Sequence, residues 1–128
     1  MTRQTITGRS VALALLTMIA AACDTPTEPG ESGTRYSPSE TATETRNGVT
    51  LVISYNSSSE RFDGTVTNNN DTTVTDVRVE IHLSNGTELG PTPRVDLAAG
   101  ETKPVTLDAS GESFTWYSVH VELGSGSS

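Results

Sequence analysis

One cysteine, Cys23, stands in the whole chain, so no disulfide can form within it. Small exported domains often rely on such staples; this one has to hold through its core alone. Basic residues are scarce as well: eight Lys and Arg face sixteen Asp and Glu. Arg3 and Arg9 lie before position 22 and every acid lies after it, so residues 23–128 carry a net charge of −10. No basic cluster occurs in that part. Such a balance excludes nucleic acid and disfavours an anionic membrane face as partners. No apolar run reaches the roughly 20 residues that span a bilayer. A Gly-x-Ser-x-Gly elbow, a glycine-rich phosphate loop and a base beside a nucleophile are also missing, so the chain reads as no enzyme.

What is present begins at the N-terminus. Arg3 and Arg9 form a positive start, Val11 to Ala20 an apolar stretch, and Ala20-Ala21-Ala22 a small-residue junction before Cys23. That order is an export signal with a cleavage site. Ala20-Ala21-Ala22-Cys23 resembles the lipobox of bacterial lipoproteins, with Ala20 where the family prefers Leu. The resemblance implies that the Cys23 thiol takes a diacylglyceryl group, that the bond before it is cut, and that its new amino group is acylated. Two or three acyl chains anchor stably where one would be marginal. The alternative is an ordinary secretory signal with Cys23 left free. Asp24 resembles the inner-membrane retention signal of enterobacterial lipoproteins, and the choice of membrane stays open.

Residues 24–47, DTPTEPGESGTRYSPSETATETRN, are dominated by Pro, Gly, Ser, Thr and Glu. Such a segment buries too little apolar surface to offset its ordering entropy. It is expected to be a disordered tether, spanning about 27 Å on average as a coil and roughly 80 Å when extended. A recognition segment or a glycosylated stalk is the other reading.

From Gly48 the pattern turns to period two, which is strand alternation. Val49, Leu51, Ile53 and Tyr55 share one face; Phe62, Gly64 and Val66 follow after a turn at 56–59. The clearest strand sets Val77, Val79, Ile81 and Leu83 against Asp76, Arg78, Glu80 and His82. Asn85-Gly86 is a tight-turn signal. Pro91 and Pro93 mark an edge or crossover before Val95 and Leu97; Val105 and Leu107 form a short strand, and Thr115 to Leu123 the last. No helical period appears after Cys23. These features predict an all-β fold: a small immunoglobulin-like antiparallel β-sandwich of about six or seven strands over 48–124, with 125–128 as a flexible tail. The expected core is Leu51, Ile53, Phe62, Val66, Val77, Val79, Ile81, Leu83, Leu97, Val105, Leu107, Val119 and Val121. A domain this small buries only about 60% of its unfolded surface.

Three stretches carry a further resemblance: Phe62 to Asn68, Val77 to Ile81, and Leu97-Ala98-Ala99-Gly100-Glu101. They look like the FxLYD type of bacterial immunoglobulin-like domain, and Val77 to Pro91 also resembles a group of exported bacterial proteins. At the Leu-Tyr-Asp-like place this chain has His82-Leu83-Ser84-Asn85. The resemblance implies a fold and no catalytic residues.

Few residues offer chemistry. His82 and His120 are the only histidines, both on outward parity, and Glu80 and Glu122 share it. They read as solvent-facing strand residues, with no metal assigned, since a metal site needs three or four ligands. Asp63, Asp71, Asp76 and the Asn68–Asn70 run fit no EF-hand spacing and read as turns rather than a calcium site. The sequons at Asn56, Asn70 and Asn85 read as turn composition. Phe114, Trp116 and His120 are expected opposite the core face of the last strand, where they form the candidate partner contact. The sequence therefore predicts a protein lipid-anchored at Cys23 on the outer side of a bacterial membrane. Its role would be that of a non-catalytic adaptor or binding module that meets another envelope protein and uses no cofactor. The alternative is a binder of a metal or small ligand.

Overall fold

The computed structural model describes residues 33–124. The expected signal peptide 1–22, Cys23 with its lipid, residues 24–32 and the tail 125–128 lie outside the described residues. Within them the chain is all-β, with eight strands: β1 (Thr41–Arg46), β2 (Val49–Asn56), β3 (Arg61–Asn68), β4 (Val74–Leu83), β5 (Glu88–Leu89), β6 (Val95–Leu97), β7 (Thr102–Asp108) and β8 (Tyr117–Glu122). One sheet runs β1-β2-β3-β7; in the other, β4 pairs with β5, β6 and β8. All named pairings are antiparallel.

In the immunoglobulin arrangement strands B and E lie side by side in one sheet, and C and F in the other. The pairs β3–β7 and β4–β8 take those four places. Residues 33–36 take the place of strand G beside β8. Tyr36 and Tyr117 exchange both backbone hydrogen bonds there, at 2.8 and 2.9 Å. Further along β8, Glu44 accepts from the Val121 N–H, and Arg46 donates to the Val121 carbonyl at 3.1 Å. The edge of β8 is thus closed partly by backbone and partly by side chains from β1.

All thirteen expected core residues are buried between the sheets, joined by Ala42, Val49, Ala109 and Tyr117. The period-two reading located the core because each inward side chain faces the opposite sheet.

Three expectations need correction. The tether does not run to residue 47: Thr41–Arg46 is a strand, and residues 33–47 belong to the folded body. Its only buried residue is the small Ala42, so an edge strand has the composition of a linker. Gly48 does not open the domain but closes a hairpin. Asn47 and Gly48 have φ of 48° and 78°, which a two-residue turn of this kind demands. Finally, the last strand starts at Tyr117, not Thr115.

Buried Asn68 staples the end of the sandwich. Its Nδ2 donates to the carbonyls of Thr72, Leu97 and Ala98 at 2.8, 3.0 and 3.1 Å. Its Oδ1 accepts from the backbone N–H and the side-chain amide of Asn70. The Val66-Thr67-Asn68 end of β3 is therefore a hydrogen-bonding device that joins β3 to the β6–β7 turn.

Candidate functional site

The outer face of the β4–β8 pair gathers the polar side chains of both strands. Register sets Glu80 opposite His120, His82 opposite Ser118, and Arg78 opposite Glu122. The rings of His82 and His120, one step apart diagonally, meet edge to face at 4.9 Å. On the other side of β4, the Asn85-Gly86 turn returns the chain so that Glu88 of β5 pairs with His82. The two strands of this hairpin thus deliver Glu80 and His82 of β4 and Glu88 of β5 to one point. One ligand atom from each lies within 4.8 Å of the others. His82 Nδ1 is 3.8 Å from Glu88 Oε2, too far for a hydrogen bond.

This face is not solvent-exposed as the parity suggested. Glu80 is 5% exposed and His120 6%. Gly33 lies close over His120: a Cβ added to it would stand 3.2 Å from His120 Cε1. Oε1 of Glu80 is buried and meets no hydrogen-bond donor among the described residues. Burial pushes the Glu80 carboxyl up from its ordinary value; Glu88 and Glu122 push the same way, while His82 and Arg78 oppose. Glu122 in turn is paired with Arg46 at 3.0 Å.

The chain matches no described protein family, no curated protein and no solved structure. What it can do has to be read from this face and from the rest of the surface.

The three candidate contact residues do not form one surface. Phe114 is not opposite the core. It precedes β8 and packs into an aromatic group at the end of the sandwich, 4.9 Å from Tyr55 and 5.8 Å from Phe62 between ring centroids. Trp116 also precedes β8 and is half-buried, with the Arg35 guanidinium 4.1 Å from its ring centroid. His120 alone is on β8, beneath Gly33. His120 is buried, while Phe114 and Trp116 are each part-covered by the chain's own residues. Nor are the acids considered for calcium gathered together. Asp63 is on β3, bonded to Arg61 and Thr106, whereas Asp76 is on β4 in the other sheet, 3.9 Å from Arg94. The sequon residues Asn56 and Asn85 accept backbone N–H bonds two residues ahead, as turn residues do.

Sequence reasoning missed Glu88. A signal for it exists: the chain reverses through the three residues Ser84-Asn85-Gly86, with the Leu83 N–H bonded to the Thr87 carbonyl at 2.8 Å, so positions equally spaced about Asn85 face each other, and 82 and 88 are such a pair. A concavity of about 340 Å³ opens between the sheets beside β6 and β7. It is lined by Val66, Val77, Val79, Val95 and Val105, with Lys103 beside them.

Proposed function

We propose that this chain is a bacterial lipoprotein, anchored through Cys23 to the outer side of a membrane, whose immunoglobulin-like domain acts there by binding rather than by catalysis. The observation that carries this reading is the positive start, apolar stretch and Ala20-Ala21-Ala22-Cys23 junction of the N-terminus, and the spacing from there to the fold adds to it. The folded body is under way at Gly33, ten positions beyond Cys23. Ten residues reach at most roughly 35 Å, so the sandwich would stand close to the bilayer, within reach of another envelope protein as partner. A charge of −10 after residue 22 keeps it off anionic headgroups. Hydroxyl pairs across the strands, Thr41–Ser54, Thr45–Thr50 and Thr67–Thr102, tie neighbouring strands together. The likeness to FxLYD-type domains belongs to the same proposal and rests on Phe62 to Asn68 and Leu97 to Glu101.

The test is labelled palmitate fed to cells that express the full chain or Cys23→Ser. Label on the wild type alone, with Cys23→Ser shed into the soluble fraction, is the expected result. An unlabelled wild type, or equal release of both forms, would overturn the reading.

A further inference from the structure

The geometry points to a divalent metal site on the β4–β5 hairpin, with Glu80, His82 and Glu88 as its protein ligands and Zn²⁺ as its ion. Two strands and the Asn-Gly turn between them converge these side chains, with no contribution from the anchor or the adaptor role.

Several observations lead to it. The three ligand atoms lie within 4.8 Å of one another, yet the His82–Glu88 pair, at 3.8 Å, is not hydrogen-bonded. Ligands at tetrahedral zinc stand about 3.4 Å apart, given bond lengths near 2.1 Å. Closing around an ion therefore takes a movement of about an ångström, which Glu88, on a short strand with its side chain 46% exposed, is free to supply. Glu80 is the second, independent sign. It is 5% exposed with Oε1 buried and unmatched by any donor among the described residues. A buried carboxylate oxygen without a donor is costly and asks for a cation or a proton. Glu88 and Glu122 nearby raise the local negative charge, which a dication would offset. The His120 ring, edge-on to His82 at 4.9 Å, restricts the imidazole plane.

The donor set selects the ion. One imidazole and two carboxylates suit a borderline divalent ion, with a fourth position open to water. Three protein ligands fall short of the six to eight oxygens that calcium takes.

Isothermal titration of ZnCl₂ into the full-length chain in detergent tests the proposal, beside Glu88→Ala, His82→Ala and an Asp71→Ala control. The expected result is one equivalent of Zn²⁺ bound, weakened at least tenfold in Glu88→Ala and His82→Ala and unchanged in Asp71→Ala, with CaCl₂ giving no comparable heat. Glu88 lies on the surface, so its variant folds even if that of His82 does not. Absence of Zn²⁺ binding by the wild type, or binding that both ligand variants retain, would overturn the site. Equal binding of Ca²⁺ would overturn the choice of ion.

Discussion

Gly64 of β3 stands directly opposite Ile53 of β2, and a Cβ added to Gly64 would sit 2.7 Å from the Ile53 Cα and 2.1 Å from the Val52 carbonyl oxygen. Both are backbone atoms, so no rotamer change relieves the clash and the two strands must separate. Gly64→Ala is expected to destabilise the domain by about 2 to 4 kcal/mol, lowering Tm by roughly 10 °C or more. Thermal melting followed by circular dichroism checks this. A Tm within two or three degrees of wild type would contradict the contact.

Asn68 satisfies three carbonyls and two donors from a fully buried position. Asn68→Ala strands those groups, each costing about 1 to 3 kcal/mol when left unmet in the interior; water entering the gap recovers part of it. A loss of about 3 kcal/mol or more is expected from urea unfolding. Retention of wild-type stability would mean the staple is redundant.

Tyr117 is fully buried, and its hydroxyl donates to the Glu40 carbonyl. Burial pushes the phenol up from 10 to about 12. A raised acid pKa means that the folded state holds the proton more tightly than the unfolded chain. The stabilisation is whole below pH 10 and is lost as pH rises through 12, amounting to about 2 to 3 kcal/mol across that window. Tyr117→Phe has no proton to lose, so its stability should fall less steeply above pH 10. Parallel curves for the two proteins in alkaline urea titrations would rule this out.

Glu44 gives a slope in the acid range. Desolvation raises its carboxyl, opposed by the Val121 N–H and Arg46 and assisted by Glu122. Its contribution to stability is therefore present below the ordinary value of 4.5 and declines as pH rises through the higher folded value. Glu44→Gln keeps an acceptor for Val121 and removes the titration. Its stability relative to wild type should improve between pH 4 and neutrality, and an unchanged difference across that range would count against the assignment.

Trp116 is the only tryptophan, so the emission reports on this one site, where Arg35 lies over the ring. Arg35→Ala uncovers one face of the indole, and a shift of the emission maximum to longer wavelength is expected. An identical spectrum would show that the guanidinium does not shield the ring in solution.

The apolar alternation at Val77 to Leu83 made β4 legible at once, since its inward side chains repeat every second residue. β1 was not legible because Ala42 alone faces the core, yet Asn47-Gly48 repeats the Asn-Gly dipeptide of 85–86, a turn signal in either loop. Reading both dipeptides alike would have extended the domain to Thr41. The polar face followed a similar course. Parity placed Glu80, His82 and His120 on one side of their strands, but only the register of two non-consecutive strands brings Glu80 opposite His120, and only the hairpin brings in Glu88. Phe114 was misplaced because it precedes β8, where alternation no longer governs which way a side chain points.

The Tyr36–Tyr117 bridge also decides how the domain would bear a load. Tension applied to the chain ahead of Gly33 would pull residues 33–36 sideways from β8 and break the two Tyr36–Tyr117 bonds. Such a geometry yields at low force, while the two sheets behind it remain intact. Peeling would bare the Tyr117 backbone, Trp116 and His120 together, so the strip along β8 is the part of the fold that a load would open to solvent first.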